Sequence, residues 1–186
     1  MTLAESERMF NVNHVYADVN WADSSAFAAE LEIRWKHWYL DYAHQLLANG
    51  HAGFAVVGVT MPVLEGLTTY WRPPPTGSNK ANGERFKQFV GEMLRRHGHT
   101  DYANVADAMW VRLRNGLMHE GRLEPNVGLT GEAAPDGSLL PTMEAGILYV
   151  RPQGLVALAE FALNETLNEI RTTAAFHKQV SAMFGH

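Results

Sequence analysis

The chain has 186 residues, of which 46% are hydrophobic and 19% are charged, with a formal net charge of −5. This length predicts one domain, and so apolar a composition excludes an intrinsically disordered chain. The sequence contains no cysteine, which excludes disulfides, thiolate metal sites and cysteine nucleophiles. The acidic balance argues against a protein that coats nucleic acid nonspecifically, but it leaves room for a local basic site.

The N-terminal residues lack the basic start and the apolar stretch of a secretory signal. The longest weakly polar run, residues 53–64, is too short to span a bilayer and contains Pro62. We therefore expect a soluble, cytoplasmic protein that makes no contact with a membrane.

The chain begins with a polar arm, residues 1–23, before the first predicted helix. A serine cap at Ser24 or Ser25 and a glycine stop at Gly50 predict a helix over residues 24–48. Apolar side chains recur along it at steps of three and four, which predicts one buried face. These residues are Phe27, Leu31, Trp35, Trp38, Tyr42 and Leu46.

A second helix is predicted over residues 52–71, interrupted by a proline. Pro62 removes one backbone donor, so it either kinks this helix or marks its true start. The valine-rich residues 56–59 fit a strand as an alternative. Three consecutive prolines, 73–75, end any helix there, and residues 76–82 read as a loop.

Two further helices follow this loop. Asn82 caps the third, and Gly98 comes after its end. Its predicted inward side chains are Phe86, Phe89, Val90, Met93 and Leu94. Thr100 caps the fourth helix, which covers residues 101–120 and ends at Gly121.

Residues 122–151 break the helical pattern and form a predicted insertion. Within it, residues 146–150 read as a strand, with residues 127–130 as its candidate partner. A last helix follows over residues 152–184, with Pro152 in its first turn. The sequence thus predicts a single all-α domain spanning residues 1–186, an up-and-down bundle of about five helices with a short β-hairpin or irregular insertion after the fourth.

The end of the fourth helix carries a cluster of groups suited to a phosphodiester. Arg112, Asn115 and His119 share one stripe on a face distinct from the apolar one, and Arg114 flanks that stripe. Arginine binds phosphate through two parallel hydrogen bonds and stabilises developing charge. An imidazole that titrates near neutrality takes or gives the proton of a hydroxyl. The glycine that follows Asn115 favours close approach of another helix.

Residues 114–119, an arginine, a polar residue, three more residues and a histidine, resemble a known signature. The pattern is similar to that of the higher eukaryotes and prokaryotes nucleotide-binding (HEPN) superfamily, whose bundle also places its motif near the end of a late helix. The resemblance implies a homodimer with both motifs in one cleft. It further implies metal-independent RNA cleavage, in which a ribose 2′-hydroxyl attacks the adjacent phosphate.

The resemblance also implies roles for individual residues. Arg114 stabilises the phosphate, His119 acts as acid or base, and Asn115 is the polar residue beside the arginine. We add Arg112 and Glu120 as candidate substrate-binding residues, and we expect no metal or other cofactor. The family further implies a role in phage defence or in a toxin–antitoxin pair, with a nucleotidyltransferase-type antitoxin as the partner.

The distribution of charge agrees with this motif. Residues 80–122 contain eight basic and five acidic side chains, a local +3, whereas the rest of the chain carries −8. Because phosphate binding needs only a local positive field, this asymmetry favours an RNA or nucleotide ligand near the fourth helix.

Two alternatives stay open for the motif. It belongs either to an active nuclease or to a non-catalytic HEPN-like module that binds a nucleotide or a protein. If Glu65 faces inward from the second helix, it pairs with Arg112 or Arg114 and makes that arginine structural.

A third, unrelated hypothesis is a metal or small-molecule site on the first helix. His37, Asp41 and His44 share one face there, at i, i+4 and i+7. A carboxylate-bridged metal site needs a second helix with matching ligands, and the sequence offers none, so a polar stripe or a helix–helix hydrogen bond is the favoured interpretation. His97 and His99 lie in a turn, where a metal site is one alternative. The favoured interpretation is a histidine cation that interacts with the carbonyls at a helix end.

Overall fold

The computed structural model describes residue 4 and residues 8–50, 52–71, 79–116 and 123–186, with the backbone alone described at 79–81. The fold is predominantly helical, with a short sheet in the insertion, as the sequence predicts. The helices are α1 (Ser24–Trp35), α2 (Asp41–Leu47), α3 (Gly53–Trp71), α4 (Asn79–Arg96), α5 (Tyr102–Ala108), α6 (Pro152–Thr172) and α7 (Ala174–Ala182). The strands are β1 (Val127–Leu129), β2 (Thr142–Glu144) and β3 (Ile147–Val150). In this part of the chain, no helix is long and apolar enough to cross a membrane.

The first predicted helix is interrupted by a π-helical segment, Lys36–Leu40, which joins α1 to α2. A π turn closes with an i→i+5 hydrogen bond and therefore holds one more residue than an α turn. The extra residue rotates the apolar face of the helix after it. Leu40 and Ala43 are fully buried, whereas Tyr42 is 55% exposed. The predicted stripe is therefore correct through Trp35 and wrong at Tyr42.

The second predicted helix is a single helix, α3, with Pro62 inside it. The alternative of a strand at residues 56–59 is therefore wrong. Helix α3 packs mainly against α6 and α2. At Gly66 the indole of Trp35 lies so close that an added Cβ would come within 2.2 Å of its ring. Glycine here lets the large ring lie directly on the helix backbone.

Several predicted helix ends are shifted in the structure. Asp23 is the N-cap of α1, where its carboxylate accepts hydrogen bonds from the backbone amides of Ser25 and Ala26, so the predicted serine cap is wrong. Helix α4 begins at Asn79, before the predicted cap Asn82. The N-cap of α5 is Asp101 rather than the predicted Thr100.

The last predicted helix is divided into α6 and α7. Pro152 begins α6, as predicted. Thr173 adopts an extended conformation, with φ −121° and ψ 101°, and so separates the two helices. Its side chain donates a hydrogen bond to Glu169.

The insertion forms a three-stranded sheet in the order β1-β3-β2. Strand β1 runs parallel to β3, and β2 forms an antiparallel hairpin with it. The predicted pairing of residues 127–130 with 146–150 is confirmed. The N-terminal arm also joins the core, because Phe10 is fully buried and packs against Tyr16, Trp21 and Phe184.

Candidate functional site

The motif is presented by α5 and by the π-helical segment that continues it, Met109–Arg114. The sequence predicts that Val105, Met109, Leu113 and Leu117 form the apolar face of this helix. The first three are fully buried, as predicted, and Leu117 lies outside the described residues. The backbone amide of Asn115 donates to the carbonyl of Trp110, an i→i+5 bond. Because this turn is wider than an α turn, the motif side chains leave the helix at angles other than those of an α-helix.

The two arginines of the motif contact different parts of the fold. Arg112 donates a hydrogen bond from Nη1 to the carbonyl of Gly146, in the turn between β2 and β3. Arg114 instead contacts α3, through the carboxylate of Glu65. Nη1 of Arg114 lies 3.5 Å from Oδ1 of the neighbouring Asn115. Arg112, in contrast, lies against the insertion.

Arg114 is held on two sides. Its Nη2 lies 2.7 Å from Glu65 Oε1 and its Nε 3.3 Å from Glu65 Oε2, a two-point ion pair. Its Cζ also lies 4.8 Å from the ring centroid of Trp110, a cation–π contact. The arginine side chain is only 18% exposed and that of Glu65 34%. Of the two pairings open for Glu65, the structure contains the one with Arg114.

The ring of Trp110 is itself positioned by a close contact with α4. A Cβ added at Gly83 would lie 2.6 Å from the indole nitrogen, so only glycine leaves room for the ring at this distance. Trp110 also packs against Phe86, with ring centroids 5.3 Å apart. The guanidinium of Arg114 thus rests on a ring that the helical core holds in place.

His119 and Glu120, the remaining residues of the predicted site, lie outside the described residues. So does the predicted helix end at Gly121. The described part of the site consists of Arg112, Arg114 and Asn115 with their partners.

The histidines of the first helix have ordinary protein partners. His37 pairs with Asp41 at 2.6 Å on the surface. His44 turns to α6, where its Nε2 lies 2.7 Å from Glu160 Oε1. The favoured interpretation of this stripe, surface pairing and a helix–helix hydrogen bond, is therefore confirmed. Nowhere in the described ranges do three or more histidine or carboxylate side chains come together as a group able to hold a metal.

One concave feature was not predicted from the sequence. A cavity of about 800 Å³ lies between the α4–α5 turn, the insertion and the start of α6. His97 and His99 line it, but so do residues 134–140, which are far away in sequence. The only signal available in the sequence was the histidine pair in the turn, which does not reveal the opposite wall.

Comparison with known proteins gives no match for this chain, neither a family model, nor a curated protein, nor a solved structure.

Proposed function

We propose that the protein is a HEPN-like, metal-independent endoribonuclease that acts as a homodimer. The observation that carries the proposal is the placement of Arg114 beside Asn115 at the end of a late bundle helix. Glu65 engages Nε and Nη2 of Arg114, and Nη1 lies 3.5 Å from Asn115 Oδ1. A guanidinium fixed in this way is preorganised to stabilise a phosphate.

The proposed reaction needs one base, one acid and one source of positive charge. The ribose 2′-oxygen attacks the adjacent phosphorus while its proton passes to a base, and the bond from phosphorus to the 5′-oxygen breaks. The leaving 5′-oxygen takes up a proton, so the products carry a 2′,3′-cyclic phosphate and a 5′-hydroxyl. His119 exchanges the protons, and Arg114 stabilises the charge that develops on the phosphate oxygens.

The surroundings of the motif support an anionic ligand. Residues 80–122 carry the local +3 of an otherwise acidic chain, and a local positive field attracts phosphate even when the total charge is negative. We place Arg112 and Glu120 at the edge of the substrate site. We further propose a cytoplasmic location and a nucleotidyltransferase-type antitoxin as partner.

The test is cleavage of a panel of single-stranded RNAs in EDTA. Wild type is compared with His119→Ala and Arg114→Ala, and the ends of the products are identified. His44→Ala and Arg171→Ala are matched controls, because both residues pair with carboxylates outside the motif. We expect cyclic-phosphate ends from wild type and both controls, and none from the two motif variants. Cleavage by His119→Ala at the wild-type rate would remove the proposed role of that histidine.

A specific contact favours a second candidate, a non-catalytic HEPN-like module. The ion pair with Glu65 and the contact with Trp110 give Arg114 a structural role without any reaction. In that case a folded dimer cleaves none of the RNAs, and Arg114→Ala lowers stability alone. Thermal unfolding and sedimentation equilibrium of the same variants separate this outcome from the loss of an active site.

A further inference from the structure

Of the motif residues that the structure describes, Arg112, Arg114 and Asn115 do not line the 800 Å³ cavity. The α4–α5 turn contributes His97, His99 and Asp101 to its wall. The insertion contributes the opposite wall, and Ala157 of α6 contributes to the lining between them. A concave space of this size, with a mostly apolar lining and a few polar groups, is typical of small-molecule sites.

The insertion wall is held by a buried arginine. Arg151 is only 3% exposed, at the N-terminus of α6. Its guanidinium donates to the carbonyls of Glu132 (2.6 Å) and Leu140 (3.1 Å) and to the hydroxyl of Thr142 (2.9 Å). One side chain thus ties both ends of segment 132–142 to the helix, which keeps the wall of the cavity in place.

A second contact fixes the same segment. At Gly154 an added Cβ would lie 1.7 Å from the carbonyl oxygen of Leu139, so the backbone of the insertion lies directly on α6. Residues 134–138 close into a compact turn, in which the amide of Ala134 donates to the carbonyl of Ser138 (2.8 Å). On the insertion side, the wall of the cavity is therefore formed by backbone that is anchored to α6.

The formal charge of the described lining is negative. It includes three acidic residues, Asp101, Asp136 and Glu144, together with His97 and His99, and no lysine or arginine. The guanidinium of Arg151 lies 3.7 Å from Glu144 and partly offsets this charge from behind the wall. The apolar part of the lining includes Pro135, Leu139, Leu140, Met143 and Ala157.

We propose that this cavity binds a small organic cation, an ammonium or guanidinium group attached to an apolar body. The apolar lining removes the body from water, and the carboxylates attract the charged group. The same carboxylates repel an anion of the same shape. Binding of such a cation does not require the proposed nuclease activity and is tested without RNA.

The test uses tryptamine and indole-3-propionate, which carry the same ring and arm but opposite charges. Binding is followed by NMR titration of the full chain with each compound to about 10 mM, because molecules of this size bind at about 1 mM. We expect tryptamine to shift the signals of the α4–α5 turn and of residues 134–144, and indole-3-propionate to leave them unchanged. Raising the salt concentration to about 500 mM should weaken the binding.

Three variants locate the site. Asp136→Asn removes the charge but keeps the side-chain oxygen that accepts a hydrogen bond from the backbone amide of Ser138. Tryptamine should bind this variant at least about threefold more weakly. Ala157→Trp fills the cavity and should abolish binding. Glu132→Gln is the matched control, because it removes a carboxylate of the same insertion that does not line the cavity.

Each result decides for or against the proposal. No binding of tryptamine by the wild type, equal binding of indole-3-propionate, or full binding by folded Ala157→Trp would each overturn it. Weaker binding by Asp136→Asn together with unchanged binding by Glu132→Gln would establish the cation site.

Discussion

Replacing Gly154 by alanine tests whether the insertion is seated on α6 as described. The new Cβ would lie 1.7 Å from the carbonyl oxygen of Leu139 and 2.9 Å from the amide nitrogen of Leu140. Both neighbours are backbone atoms, so no side-chain rotation relieves the contact. The insertion has to move away from the helix by about 1.5 Å to restore a normal van der Waals distance.

Two effects of opposite sign determine the size of the change. Alanine stabilises a helix relative to glycine by at most about 1 kcal/mol. Moving the insertion weakens the hydrogen bond from Arg151 to the carbonyl of Leu140, worth about 1.5–3 kcal/mol because the donor is charged. It also exposes part of the Leu140 side chain, now 8% exposed, at a further cost of about 1 kcal/mol. We expect a net loss of about 2–3 kcal/mol in the free energy of unfolding.

The assay is urea unfolding at neutral pH, with Gly91→Ala as the matched control. A Cβ at Gly91, also inside a helix, meets its nearest neighbour at 3.6 Å, an ordinary contact. The control should therefore be unchanged or up to about 1 kcal/mol more stable. If Gly154→Ala is as stable as Gly91→Ala, the backbone of the insertion does not lie on α6 as described.

Three further changes test other parts of the fold. Gly66→Ala places a Cβ 2.2 Å from the Trp35 ring and should lower the free energy of unfolding by about 1–3 kcal/mol, measured by urea unfolding. Asp23→Ala removes the N-cap of α1 and should lower the free energy of unfolding by about 1 kcal/mol. Asp23→Asn keeps an acceptor oxygen at the cap and should retain most of this stability. Hydrogen bonds from two neighbouring arginines at the end of α4 hold the pKa of Glu92 at about 2, against its ordinary 4.5. The ionised carboxylate of Glu92 therefore contributes stability above pH 4.5, and this contribution is lost as the pH falls towards 2. Over this range wild type should lose stability more steeply than Glu92→Gln, measured by urea unfolding at each pH.

The ion pair of the candidate site has an energetic test of its own. The side chains of Arg114 and Glu65 are 18% and 34% exposed, so the pair is intermediate between surface and buried ion pairs. Surface pairs contribute less than about 1 kcal/mol, whereas breaking a buried pair costs about 3–5 kcal/mol. A double-mutant cycle with Arg114→Met and Glu65→Gln should give a coupling energy of about 1–2 kcal/mol in urea unfolding. A coupling near zero would mean that the pair does not hold the arginine in solution.

Helical segments and their buried faces were predictable because they depend on neighbours three or four residues apart. Phe86, Phe89, Val90, Met93 and Leu94 are all buried, as their spacing predicts. Pro152 begins its helix for a similarly local reason, since proline suits the first turn. Two strands of the insertion, β1 and β3, were predicted from the sequence, whereas β2 was not.

The predictions failed where packing changed the local period. The described residues include two π-helical segments, Lys36–Leu40 and Met109–Arg114. The spacing of apolar residues does not reveal them, because it is interpreted with a period of 3.6 residues per turn. The first segment rotates the residues after it, which is why Tyr42 is exposed. Arg112 lies within the second segment and contacts the insertion at Gly146. The candidate site was therefore predictable in its residue types but not in the directions of its side chains.

The sequence by itself determined the helical class, the position of the insertion and the motif with its local positive charge, because composition, periodicity and turn residues act over a few positions. Only the tertiary structure decided which groups meet: the pairing of Arg114 with Glu65, 49 residues apart, the burial of Arg151 beneath the insertion, and the acidic cavity. Such contacts depend on how distant segments pack, and no local pattern in the chain records which distant carboxylate or carbonyl a given arginine will reach.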